Sequence, residues 1–460
     1  MKKKLNLYFV LGGAVSAGAY TAGVIDYFML CLKEYMALDT EDREYDIQIK
    51  AITGTSAGGM CGSIFLHSLA QGYPGTAGHS SLFQTWVKDI DISVLSGMDD
   101  INKGKTPDAL LNGNALKRIA DKVFNTTPAM NDIESCNFLA NDCKLILSVT
   151  DTVGKSYAID FVNDTSEKSY FITNHRDYYY FTLSKPGADY IELSNKEAWE
   201  TLKKVSVATG AFPVGLPPVE LERPSSVYEN DNGLGRPFNI DGNTHRYFGV
   251  DGGIGDNEPF GRLVGIIEDK PAEGIEAAII FIDPFPSENN KTEGNSIGVQ
   301  LQRLFSVFRN QSAFKPDEVK DFQNKGFKCY SIIPKQYSNL NVDAHLAGAH
   351  VGAFSGFIHE KYRYFDYQLG LRNCQKFLQD TFKIFNDLPA HDEIPALEWP
   401  CIGLKEYKNK TRALDIRLSC IVKTFFRGFW AFAVKVVIRR FKKPSKIILK
   451  IMEKQQLVVK

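Results

Sequence analysis

The eight cysteines, at positions 31, 61, 136, 143, 329, 374, 401 and 420, form no C-x-x-C pair and no tight zinc spacing, which excludes a zinc knuckle and a dithiol redox centre. Most stand among apolar neighbours and read as buried free thiols, as a reducing cytosol would keep them. Neither G-x-x-x-x-G-K-S/T nor G-x-G-x-x-G occurs, so the glycine-rich stretches are not the usual nucleotide cradles. There is no calcium-loop spacing, no internal repeat and no long low-complexity linker. The formal net charge is +0, which gives nucleic-acid binding no support. The opening MKKKLNLYFVLGG is basic, but its apolar run is short and ends in glycines. It reads as a first strand, not a signal peptide.

What is there is an ordinary globular composition, 44% hydrophobic and 23% charged over 460 residues, enough to bury a large core. The 31 Phe and 20 Tyr point to an apolar cavity or surface. The charge balance hides an asymmetry. Of 54 basic and 54 acidic residues, 16 and 3 fall between Lys405 and Lys460, leaving 38 and 51 in the remainder. A basic tail on an acidic body points to an anionic partner surface.

Leu5–Leu11, Ile47–Thr53, Lys144–Val149 and Ala277–Ile282 read as buried strands, and the β-branched runs suit parallel strands covered on both faces. Helices are expected over Ala19–Tyr35 and Met60–Leu69. Strand–loop–helix units with glycines at the strand exits predict an α/β layered fold. The aromatic stretch from Ser156 to Pro218, with FITNHRDYYYFTL inside it, suggests a lid or pocket wall, and 222–246 reads as a polar loop.

One exit reads GTSAGG, residues 54–59. G-x-S-x-G is the pattern of a nucleophile elbow, in which a strand-to-helix turn pushes a serine hydroxyl into the open. Gly54 and Gly58 remove side chains that would strike the neighbouring strand and helix, and the helix N-terminus behind Ser56 favours a nearby anion. Small residues at such a turn also serve packing alone. A serine reacts only if a base takes its proton and donors hold the oxyanion. The donors are expected in FVLGGAVSAGAY, where Gly12, Gly13 and Ala14 let consecutive amides point into one site. The base is expected at Asp251 in GVDGG, with Gly252 and Gly253 folding the chain around it, although an aspartate there also makes an ordinary turn.

Taken together, the glycine-rich loop at the first strand, G-x-S-x-G at the next and the later D-G-G resemble the patatin-like phospholipase family. VATGAFPVGLPPV (207–219) resembles that family's small-residue and proline block, and RYFDYQLGLRNCQKFL (363–378) a segment of its bacterial members. The resemblance implies a three-layer α/β/α sandwich with a mostly parallel central sheet and a Ser56–Asp251 dyad with no histidine. It implies a hydrolase of the phospholipase A or lysophospholipase type, cleaving acyl esters of phospholipids, with no cofactor and no metal. The family's loop usually carries a third glycine and then Arg or Lys; here Ala14, Val15, Ser16 and Ala17 stand instead. A neutral lipase or thioesterase with the same dyad, or an inactive membrane-associated scaffold, are the alternatives. A Ser-His-Asp hydrolase is disfavoured because only two strands precede Ser56, and His345, His350 and His359 lie in a small-residue helix pattern and read as packing residues.

The expected organisation is an acyl hydrolase domain over 1–400, with its core at about 5–290, lid or pocket elements in 156–246 and a helical part over 291–400. A basic amphipathic tail over 401–460 follows. Within it Lys423, Arg427, Lys435 and Arg439 form one helical stripe opposite Phe and Trp, too interrupted by charge for a transmembrane span. The pattern reads as amphipathic helices that touch an anionic membrane peripherally through 421–460, at the inner face and from the cytoplasm, or that pack on the acidic body.

Overall fold

The structure is a computed structural model that describes residues 2–101, 108–159, 170–184, 189–229, 238–264, 266–267, 271–286, 307, 309–335, 346–349, 354–385, 397–398, 400–402 and 405–422. Its strands are β1 (Lys3–Leu11), β2 (Tyr45–Thr55), β3 (Leu139–Ile159), β4 (Tyr170–Thr182), β5 (Tyr190–Glu192), β6 (Val219–Pro224), β7 (Thr244–Asp251), β8 (Ile275–Ile282) and β9 (Lys328–Ile332). Its main helices are α1 (Gly18–Ala37), α2 (Ala57–Leu69), α3 (Gly113–Val123), α4 (Lys196–Thr209), α5 (Pro316–Asn324), α6 (Glu360–Phe377) and α7 (405–422).

Apolar residues cover both faces of the central strands, as parallel strands require. On β1, Leu5, Leu7, Phe9 and Leu11 belong to the large core that also holds α1, α2, α4 and α6, while Val10 faces a second cluster with Phe260, Leu263 and Phe322 of α5. Helices therefore cover the sheet on both sides, giving the expected α/β/α sandwich. The sheet order is β5-β4-β3-β2-β1-β8-β9, with β1–β2, β2–β3, β1–β8 and β8–β9 parallel and β3–β4 antiparallel.

The register places the site. The β2–β3 ladder ends at Thr55 opposite Ser148, and the β3–β7 ladder begins one residue further on, at Val149 opposite Asp251. Thr150 pairs with Arg176 of β4 on one edge and with Val250 of β7 on the other. Strand β7 thus takes over the edge of β3 that β2 leaves, directly beyond the point where the chain turns into α2.

Several expectations needed correction. The run KLILSV is only the centre of β3, which spans 21 residues. Within Ser156–Pro218, FITNHRDYYYFTL forms β4, with Tyr178, Tyr179 and Phe181 buried in the main sheet, while the later Phe212 and Leu216 do stand in the wall of a pocket. Both ends of the expected loop at 222–246 are strand, in β6 and β7. The part over 291–400 contributes a parallel edge strand, β9, besides its helices. His345, His350 and the stretch 423–460 lie outside the described residues.

Helix α1 is buried around most of its circumference because α6 covers the side that the sheet does not. The two helices meet backbone to backbone. A methyl on Gly23 would lie 2.1 Å from the Tyr367 carbonyl oxygen, and one on Gly370 would lie 2.3 Å from that of Tyr20. Gly370→Ala must push the helices apart. It is expected to cost roughly 1–3 kcal/mol, read by calorimetry as a thermal midpoint several degrees lower; an unchanged midpoint would rule out this contact.

Candidate active site

Strand β2 ends at Thr55, and Ser56 turns the chain into α2 with φ 55° and ψ −130°. That left-handed φ is strained for a serine, and such strain persists only where the surroundings over-determine it. The reason for glycine at 58 is close approach: a methyl there would stand 2.3 Å from the Leu11 carbonyl oxygen at the end of β1. Across the turn, a methyl on Gly54 would lie 2.7 Å from the Gly58 carbonyl oxygen. Thr209, at the end of α4, fixes the turn from outside. Its hydroxyl accepts the Ser56 amide at 2.9 Å and donates to the Ser148 carbonyl at 2.6 Å.

The Ser56 hydroxyl donates to Asp251 Oδ2 at 2.6 Å, across 195 residues of chain. The other oxygen, Oδ1, accepts the Gly253 amide at 2.8 Å. The Asp251 backbone is held on both sides, its amide donating to the Ala211 carbonyl at 3.0 Å and its carbonyl accepting the Thr150 hydroxyl at 2.8 Å. Gly252 follows because a side chain there would strike the Ser148 carbonyl. Asp251 is only 5% exposed. Burial pushes its carboxyl up to about 6, against the downward pull of the Ser56 hydroxyl and the Gly253 amide.

The expected oxyanion loop lies beside the hydroxyl, with the position a Gly13 methyl would take only 3.3 Å from the Ser56 Cβ. Two of its three amides are already engaged, however. Gly12 donates to the Ile282 carbonyl at 3.0 Å and Gly13 to the Asn257 carbonyl at 3.1 Å. Among the described residues the Ala14 amide has no such partner, and Ala57, as the first residue of α2, has an amide that by position lacks an intrahelical acceptor. Of the three expected amides, those of Gly12 and Gly13 are therefore taken up by carbonyls outside the loop, and the third, Ala14, is the one left without a backbone carbonyl among the described residues.

An apolar cavity of about 60 Å³ opens from Ser56 and Asp251, lined among others by Met60, Trp86, Leu95, Leu111, Phe212 and Phe357. His359 is elsewhere: its Nδ1 accepts the Lys361 amide at the start of α6 and its Nε2 meets Glu406 at 2.8 Å. No group of three or more metal-ligating side chains occurs among the described residues. Sequence reading missed Thr209, Thr150 and Asn257, although Thr209 lies in the VATGAFPVGLPPV block.

A curated relative, the uncharacterized protein y4iI of Sinorhizobium fredii (strain NBRC 101917 / NGR234), is 26% identical over 89% of this chain and 68% of its own. The crystal structure of VipD from Legionella pneumophila aligns with 100% of this chain and 80% of that one at 12% identity and a TM-score of 0.27. The family model of patatin-like phospholipases matches residues 9–264. That match takes in more than half of the sequence, and the chain belongs to the patatin-like phospholipase family.

Proposed function

We propose that the protein is a serine acyl hydrolase that cleaves acyl esters of phospholipids or lysophospholipids through Ser56 and Asp251. The observation that carries this reading is the 2.6 Å hydrogen bond from the Ser56 hydroxyl to a buried carboxylate, at the mouth of an apolar cavity. As Oγ attacks the ester carbonyl, Asp251 takes the hydroxyl proton, and the new oxyanion faces the Ala14 and Ala57 amides with the α2 N-terminus behind them. Collapse of the tetrahedral adduct breaks the ester C–O bond, and the leaving alcohol takes the proton from Asp251. Water then attacks the acyl-serine with Asp251 again as base, releasing the fatty acid and restoring the hydroxyl. The apolar lining suits an acyl chain, and no step needs a cofactor.

The basic stretch 421–460 supports a second part of the reading: peripheral contact with an anionic membrane from the cytoplasmic side, where the substrate resides.

Three outcomes are expected. A fluorophosphonate probe labels the wild-type protein, and Ser56→Ala abolishes labelling and lowers kcat by on the order of 10³–10⁶; a label that survives in the alanine variant places the nucleophile elsewhere. The base must be ionised, so kcat/KM rises with pH and levels off above about 6, following the raised Asp251 carboxyl. The folded state holds that proton more tightly than the unfolded chain, so ionisation costs stability as pH rises through this range. Asp251→Asn therefore loses activity while its thermal midpoint at pH 8 is no lower than wild type, and a flat acid limb in the wild type would refute the assignment. For the tail, deletion of 423–460 abolishes co-sedimentation with anionic liposomes at low salt; unchanged binding removes the membrane contact.

A further inference from the structure

Part of the cavity wall comes from two stretches, 95–100 and 108–112. Leu95 and Leu111 supply its lining side chains, and Leu116 follows from α3. The stretches are tied to each other and to the opposite rim. The Asn112 amide donates to the Leu95 carbonyl, and the Leu110 and Leu111 amides donate to the Val214 and Gly215 carbonyls, each at 2.8 Å. The width of the cavity therefore follows the spacing of these two stretches.

A further tie between the two stretches comes from the far end of the chain. Arg417 of α7 is fully buried, at 0% exposure, and its guanidinium reaches both stretches. Its Nη1 and Nη2 donate to the two oxygens of Asp100 at 2.6 and 2.7 Å. Nη1 also donates to the Gly97 carbonyl at 2.5 Å. On the other stretch, Nε donates to the Leu110 carbonyl at 2.6 Å and Nη2 to the Ala109 carbonyl at 3.4 Å. All five guanidinium N–H donors are thus engaged, in a planar fork that a lysine ammonium with three donors cannot reproduce. A charge placed so far from water persists only with this full set of partners. In sequence the contact lies six residues before Lys423.

We propose that Arg417 is a positioning residue that sets acyl-chain selectivity: by clamping 97–100 to 109–110 it fixes the Leu95–Leu111 wall and so the bulk of the chain the cavity admits. This rests on the acyl-hydrolase reading of Ser56. Loosening the clamp widens the cavity without touching the hydroxyl or the carboxylate.

The test uses full-length protein, p-nitrophenyl esters from acetate to palmitate, and a short-chain fluorophosphonate. In Arg417→Lys and Asp100→Asn, the ratio of kcat/KM on long over short esters is expected to rise at least ~10-fold, the discrimination a methylene or two can supply. The change should sit mainly in KM, and Ser56 should still label. Leu111→Ala, which opens the wall directly and leaves the clamp intact, should shift the ratio in the same direction, so the proposal stays testable if an Arg417 variant fails to fold. A ratio within twofold of wild type in Asp100→Asn or Arg417→Lys, with Ser56 labelled, overturns the proposal. So does a uniform loss on every ester, which is what a merely structural role would give. Absence of labelling in the wild type would instead sink the Ser56 reading on which it rests.

Discussion

A carboxylate withdrawn from water must be met by donors, and Asp251 has two: the Ser56 hydroxyl and the Gly253 amide. Much of the surrounding structure serves that meeting. The ladder of β3 changes partner from β2 to β7 between Ser148 and Val149, so the ends of two strands far apart in sequence converge on one point. Thr209 then closes the elbow against β3, and Thr150 closes the aspartate loop against the same strand. Strand β3 is the common anchor, and its length follows from holding β2, β4 and β7 at once.

A good part of this was legible in the residues. The spacing of Gly54, Ser56 and Gly58 at a strand exit, and of Asp251 before Gly252 and Gly253, expresses local steric needs that any reader of the sequence can see. The buried runs of β1, β2 and β8 announce parallel strands by composition. What was hidden depends on contacts between distant segments. The amides of Gly12 and Gly13 looked like donors to an oxyanion, but the carbonyls of Ile282 and Asn257 claim them, and no local pattern betrays that. Nor does a lone arginine at 417 advertise that it will bond to both 97–100 and 109–110.

The aromatic residues around β4 have a structural task that their local sequence does not announce. A second buried carboxylate, Asp177 of β4, gathers its tyrosines from β7 and from the segment after β6. Asp177, 1% exposed, accepts from Arg223 at 3.0 Å and from the Tyr228 hydroxyl at 2.7 Å, with Tyr247 also donating. Arg223 in turn lies over the Tyr179 ring at 4.4 Å. The network knits β4, β6 and β7 together and so braces the strand that delivers Asp251. A buried polar cluster of this kind rigidifies when every member is satisfied.

The backbone contact between α1 and α6, together with the place of β1 between β2 and β8, bears on how the chain assembles. During synthesis the first strand emerges long before β8, and the first helix long before α6. Until then, β1 presents one unpaired edge and α1 an uncovered apolar flank, both hazards for association between nascent chains. A fragment ending at residue 264, where the family match stops, would keep Ser56 and Asp251 yet retain both exposures permanently. The unit that folds is therefore larger than the unit that carries the chemistry.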